Sequence, residues 1–232
     1  MIRVSHLTKS FNHRPVLRDL NFQAQAGEII ALLGPNGAGK TTFLRILATL
    51  MRPTAGEVAI AGFILPGQSV EARRRIGVVL HQPQVYGSLT AEENLRFYGR
   101  LYQIPKLEER IRELLAWTGL DRRSREPTAI FSRGMLQRLA IARASLHNPP
   151  IYLFDEPHTG LDPDASARLE KLIISLAGGG ALVVFTSHEL DRAANLATRF
   201  DVLHQGHIRA SCSLLELPGG SLDVFYRGAT SA

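Results

Sequence analysis

Leu20, Phe22 and Ala24 alternate with Asn21, Gln23 and Gln25, the two-residue period of a strand with one face in a core and the other in water. Elsewhere the apolar positions run together. Residues 28–33, 76–80, 151–154 and 181–186 are short, apolar and β-prone, which predicts strands buried on both faces of a parallel sheet. Helix signals lie between them. Thr90-Ala91-Glu92-Glu93 reads as a capping box opening a helix through about Leu101, and Asp162-Pro163 offers an N-cap followed by proline at the first helical position. The helix from Pro163 is expected to stop at Gly178-Gly179-Gly180. Strands alternating with helices predict an α/β fold.

Two regions depart from that alternation. Residues 1–30 and 56–63 read as short strands, predicting a small antiparallel sheet beside the parallel one. Residues from about 83 to 146 hold several helical patterns and no convincing strand, predicting a helical subdomain inserted between two halves of a core, about 1–82 and 147–210. A C-terminal extension, 211–232, suggests only a short strand at residues 222–226.

Composition narrows the class. The 232 residues fit one large domain or a domain with a subdomain, and 45% hydrophobic residues are enough for a sizeable core. Cys212 stands alone, which excludes an internal disulfide and a cysteine-based metal cluster. The N-terminus has no apolar run of signal-peptide length, and no stretch approaches the ~18 apolar residues of a membrane span, so a soluble cytoplasmic protein is expected. The charge of +6 comes with arginine clusters at 73–75 and at 122, 123 and 125. No stacking aromatics interleave them, so a solvated surface is expected and nucleic acid is not.

The chemistry begins where the strand ending at Leu33 runs into Gly34-Pro35-Asn36-Gly37-Ala38-Gly39-Lys40-Thr41-Thr42 and then the apolar helix FLRILATL. Strand, glycine-rich loop and helix in that order make a complete P-loop. The glycines let backbone N–H groups curl around phosphate oxygens, and the helix N-terminus adds its partial positive charge. Lys40 is placed to reach the β- and γ-phosphates, and the Thr41 hydroxyl to coordinate Mg²⁺. Strand 151–154 ends in Asp155-Glu156-Pro157. Asp155 is positioned to hold Mg²⁺ through water, and Glu156 to act as general base or to polarise the attacking water. His188, in Thr186-Ser187-His188, is either structural or a contact to the γ-phosphate. Ser132-Arg133-Gly134-Met135 opens an apolar, basic helix and suits either a phosphate or an ordinary capped start.

Taken in order, these segments resemble the nucleotide-binding subunit of an ATP-binding cassette (ABC) transporter over about residues 2–210. GPNGAGKTT resembles Walker A, LFDEP resembles Walker B, TGLD at 159–162 the D-loop, TSH the switch histidine, and FSRGMLQR the signature, usually LSGGQ. The resemblance implies a RecA-like P-loop NTPase core with a small antiparallel β subdomain and an inserted helical subdomain, working on ATP with Mg²⁺. It implies that Phe11 stacks on adenine and that Asp162 belongs to the nucleotide-binding set. It also implies that Ser132 and Gly134 meet the γ-phosphate held by the other subunit of a dimer. Phe131, Arg133 and Met135 depart from the signature; Arg133 adds a positive charge compatible with a triphosphate. At the Q-loop, His81 or Gln82 takes the glutamine position, Gln82 then counting as a metal ligand beside Thr41 and Asp155. That residue is expected to couple Mg-ATP to the membrane partner.

The implied partners are transmembrane permease subunits and a second ABC ATPase, identical or paired, with the chain peripheral on the cytoplasmic face of the membrane. The HQ pair, FYGRLY and FSRGM-x-QRLAIARA resemble most the ATP-binding subunit of the haem exporter of cytochrome c biogenesis. They are close to other ABC-2-type exporters of drugs, ions, lipids or polysaccharides. A soluble, non-transport ABC ATPase is the remaining reading. Tyr86, Phe97, Tyr98, Leu101 and Tyr102 outline a groove for a short coupling helix, although Phe97 and Leu101, four apart, are expected to face the core. Tyr86, in a loop, is the better contact.

Overall fold

The computed structural model describes residues 1–231. Its first third runs β1 (Ile2–Phe11), β2 (Arg14–Ala24), β3 (Ile29–Leu33), α1 (Lys40–Leu47), β4 (Ala55–Ile60), β5 (Phe63–Leu65), α2 (Ser69–Arg73) and β6 (Ile76–Val79). Three helices follow, α3 (Ala91–Leu101), α4 (Leu107–Trp117) and α5 (Arg133–Ala144). The chain then passes through β7 (Ile151–Phe154), α6 (Pro163–Gly178), β8 (Leu182–Ser187), α7 (Leu190–Leu196), β9 (Arg199–His204), β10 (His207–Ser213) and α8 (Leu222–Thr230).

The strands form two sheets. One is antiparallel in the order β2-β1-β4-β5; the other has the order β10-β9-β3-β8-β7-β6, parallel except for β10. The buried runs explain the parallel sheet. In β3, Ile30 and Leu32 pack into a core shared with the antiparallel sheet and α1, while Ile29, Ala31 and Leu33 pack into a second core under α5, α6 and α8. A strand with apolar partners on both faces needs no polar alternation. The alternating residues behave as expected: Leu20, Phe22 and Ala24 are buried, Asn21, Gln23 and Gln25 exposed. The N-terminal strands are long rather than short, because shifts of register near His6 and Asp19 let one continuous ladder accommodate the interruptions.

Helix starts follow the polar signals. Thr90 and Glu93 form the reciprocal capping box of α3, and Asp162 Oδ1 accepts from the Ala165 N–H at the start of α6 with Pro163 behind it. A third core joins α3, α4 and one face of α5 through Leu95, Leu114 and Leu139, while Ala140, Ile141 and Ala144 on the other face of α5 reach the sheet's second core. The helix α5 is therefore apolar on two sides.

Two expectations are overturned. Residues 222–226 form the start of α8, not a strand: Ser221 Oγ accepts from the Val224 N–H, and Leu222, Phe225, Tyr226 and Ala229 recur at helical spacing against the second core. The helical period outweighs the β-prone Val-Phe-Tyr. Phe97 and Leu101 do not face the core; they are 41% and 67% exposed. Ala91 and Leu95 set the inward face of α3, and Phe97, two residues past Leu95, is turned by roughly 200°. Tyr86 lies edge-on to Phe97 at 5.3 Å, and Tyr102 is exposed beyond them. The buried Asn94 amide holds this loop in place, accepting from the Tyr86 N–H and donating to the Tyr86 carbonyl.

Candidate functional site

The loops that leave β3, β7 and β8 emerge at the carboxyl ends of parallel strands, the edge of an open α/β sheet where ligands bind. After β3 the chain turns at Gly34, where a Cβ would lie 2.1 Å from the Leu203 carbonyl oxygen, so only glycine fits. Residues 34–39 curl into α1, and Lys40 folds back across the loop. Its Nζ donates to the Gly34 carbonyl at 2.6 Å and the Pro35 carbonyl at 3.1 Å. Burial lowers the Lys40 pKa, with Glu156 and Asp155 pulling the other way. Strand β2 passes the end of this loop, since a Cβ on Gly39 would meet Leu17 at 2.7 Å. Phe11 pairs with Arg14 at the tip of the same hairpin, its exposed ring under the Lys9 ammonium at 4.9 Å.

Asp155 is the hub. The β7–β8 register sets Phe154 opposite Phe185, so Asp155 falls beside Thr186. Thr186 Oγ1 donates to Asp155 Oδ1 at 2.9 Å, and Thr41 Oγ1 donates to the same oxygen at 3.1 Å. A hydroxyl and a carboxylate side by side at a phosphate loop are the hard oxygen ligands that Mg²⁺ takes, so the residues fit that ion. Glu156 follows in a left-handed conformation, φ 49°, which a non-glycine residue keeps only where its surroundings hold it. Here they do: its N–H donates to Thr186 Oγ1 at 2.8 Å, and Thr159 Oγ1 donates to its Oε2 at 3.1 Å. His188 Nδ1 stands 3.4 Å from Glu156 Oε1.

Thr186 was given no role from the sequence. The signal was a polar residue ending a buried strand whose neighbour ends in two carboxylates. Thr186→Val keeps the shape but removes both hydrogen bonds, and is expected to lower kcat by about 10- to 100-fold while ATP affinity stays within about threefold. Steady-state phosphate release and nucleotide titration check this.

His158, in the turn after Glu156, is 4% exposed, and neither ring nitrogen has a hydrogen-bond partner among the described residues. Its pKa falls from 6.5 to about 4, by burial first and then by Arg192, against Glu189. The folded state thus binds fewer protons than the unfolded chain between those values. Stability from the neutral ring is complete above pH 6.5 and drains away as pH falls toward 4, by roughly 3 kcal/mol. Denaturant unfolding of the protein and of His158→Gln across pH 4–7 should show that slope in the first and a shallower one in the second.

The other predicted residues lie around this centre. His81 and Gln82, both exposed, line one pocket of about 270 Å³ with Arg133, Gln137, Glu156 and Thr159. Ser132 caps α5, its Oγ accepting from the Met135 N–H at 3.3 Å. Gly134 packs on Ala165, where a Cβ would come within 2.7 Å. None of the hydrogen bonds among the described residues joins Ser132 or Gly134 to the phosphate loop. Asp162 caps α6.

Comparison with known proteins agrees with this geometry. The ABC transporter family model matches residues 17–159. A linearmycin resistance ATP-binding protein of Bacillus subtilis is 30% identical over 212 residues, 90% of this chain and 68% of the relative. The Nod factor export ATP-binding protein I of Rhizobium meliloti is 35% identical, over 94% of this chain and 70% of its own. A solved ATP-binding subunit of an ABC transporter superposes with a TM-score of 0.89 at 34% identity, covering 99% of both chains. The dimeric cassette MJ0796 in a post-hydrolysis state with ADP and Pi superposes at 0.83 and 29% identity, covering 92% of this chain and 99% of its own.

Proposed function

The chain belongs to the ABC transporter family as an ATP-hydrolysing subunit, and from that premise we propose that it powers an ABC-2-type exporter from the cytoplasmic face of the membrane. The observation that carries the reading is the convergence of Thr41, Thr186, Glu156 and His188 on the Asp155 turn behind the phosphate loop. Residues Gly34, Pro35, Asn36, Gly37, Ala38, Gly39, Lys40, Thr41 and Thr42 cradle the triphosphate, and Phe11 stacks on the adenine. Thr41 and Asp155, with His81 or Gln82, would hold Mg²⁺, and the ion would offset phosphate charge when bound. Glu156 orients the water for in-line attack, and His188 stabilises charge developing on the phosphoryl oxygens. Two copies meet head-to-tail, so that Ser132 and Gly134 of one complete the γ-phosphate site of the other, with Asp162 beside them. The helical segment from about 83 to 146 then acts as a subdomain between the core halves and the membrane partner.

The relatives favour this cargo class over haem: those described above are named for linearmycin resistance and Nod factor export. The exposed Tyr86, Phe97, Leu101 and Tyr102 supply a surface for a permease's coupling helix beside the Q-loop. No helix among the described residues is long and apolar enough to cross a membrane, so a spanning partner would supply the pathway. Affinity purification of the tagged chain from detergent-solubilised membranes should recover a polytopic permease. The double variant Tyr86→Ala/Phe97→Ala should recover at least fivefold less of it (about 1 kcal/mol for a lost aromatic pair). Recovery of the tagged chain without any membrane subunit contradicts the reading.

A further inference from the structure

We propose that Arg133 is a positioning residue that ties the start of α5 to the turn carrying Thr159 and Gly160, and so makes the placement of Glu156 respond to the neighbouring copy's nucleotide. The proposal rests on the head-to-tail reading above.

Arg133 opens α5 on the surface and makes no ion pair among the described residues. Its guanidinium instead abuts Gly160. A Cβ built on Gly160 would come 2.3 Å from Nη1, 2.8 Å from Cζ and 3.1 Å from Nε, so a side chain there would push the guanidinium aside. Gly160 also sits at φ 71°, a backbone that favours glycine on its own account. The missing side chain at Gly160 leaves the room in which the guanidinium lies. Thr159, next in the chain, bonds Glu156 twice: its N–H to the Glu156 carbonyl at 3.2 Å, and its hydroxyl to Oε2 at 3.1 Å. A continuous line of contacts thus runs from Arg133 through Gly160 and Thr159 to Glu156, and Arg133 and Glu156 line the same pocket.

The charge gives the line a direction. A triphosphate brought against the start of α5 by a second copy attracts a guanidinium that no carboxylate holds, and the pull reaches Glu156 through the turn. A lysine, with neither the plane nor the fork of donors, would not seat on Gly160 in the same way.

The test uses the full chain and Mg-ATP. Arg133→Ala is expected to lower kcat about tenfold, as a small misplacement of a catalytic group does. The Hill coefficient for ATP should fall from about 2 toward 1. Affinity for a fluorescent ATP analogue at low protein concentration, and the melting temperature, should stay near those of the unaltered chain, which separates positioning from folding. Arg133→Lys should recover less than half of the lost rate. Gly160→Ala, which displaces the guanidinium and also strains a backbone at φ 71°, should cost more rate in the unaltered chain than in Arg133→Ala, the difference reporting the shared contact. Unchanged kcat and Hill coefficient in Arg133→Ala, or multiplicative losses in the double variant, overturn the proposal. A Glu156→Gln chain that dimerises with ATP beside such results confines the failure to Arg133. A Glu156→Gln chain that stays monomeric removes the head-to-tail reading and the proposal together.

Discussion

Glu156→Gln is expected to hydrolyse ATP at least a hundredfold more slowly than the unaltered chain while binding it within about threefold as tightly. The amide has the shape of the carboxylate and can still accept from the Thr159 hydroxyl, and the backbone bond from Glu156 N–H to Thr186 does not involve the side chain. The left-handed turn should therefore survive. What disappears is the negative oxygen that faces His188 and would draw a proton from attacking water. The effect should appear in kcat and not in nucleotide affinity, read by phosphate release beside fluorescent-nucleotide titration. Hydrolysis near the unaltered rate would move the water-orienting role to another group.

Lys40→Ala should act at the earlier step. Lys40 is the buried cation inside the phosphate loop, and its ammonium spans the Gly34 and Pro35 carbonyls. Removing it is expected to take away a charged hydrogen bond to the triphosphate and the ammonium that bridges the two loop carbonyls. ATP binding is expected to weaken by about 10- to 100-fold, and hydrolysis to fall to background. The two variants thus separate: one binds without turnover, the other does neither. A Lys40→Ala chain that binds ATP as tightly as the unaltered one would contradict the placement of the triphosphate.

Four of the five parallel strands, β3, β6, β7 and β8, were legible in the sequence because burial on both faces leaves unbroken apolar runs; β9, where Arg199 and Asp201 break the run, was not. Helix starts were legible where a polar cap announces them, as at Thr90 and Asp162. The direction in which α3 faces was not. Phe97 and Leu101 suggested an inward stripe by hydrophobicity and spacing, but Ala91, Asn94, Leu95 and Gly99 take the inward face, and only Leu95 among them is a large apolar residue. The helix α8 was missed for a related reason: its Val-Phe-Tyr run outweighed the Ser221 cap and the spacing of Leu222, Phe225 and Ala229. In the site, the loop and the two acidic residues could be read from local order. Thr186 could not, because its role follows from strand register over 31 positions of chain. Arg133 reads in the sequence only as a departure from a phosphate motif, and its place against Gly160 follows from the fold.

The claim that one copy completes the other's site is tested most directly by the mass of Glu156→Gln in solution with Mg-ATP. Analytical ultracentrifugation should show a dimer with ATP and a monomer with ADP. Adding Ser132→Arg, at a residue that shares no hydrogen bond with the chain's own phosphate loop among the described residues, should abolish the dimer without weakening ATP binding at low concentration. A monomer with ATP, or a dimer indifferent to Ser132→Arg, would contradict the account.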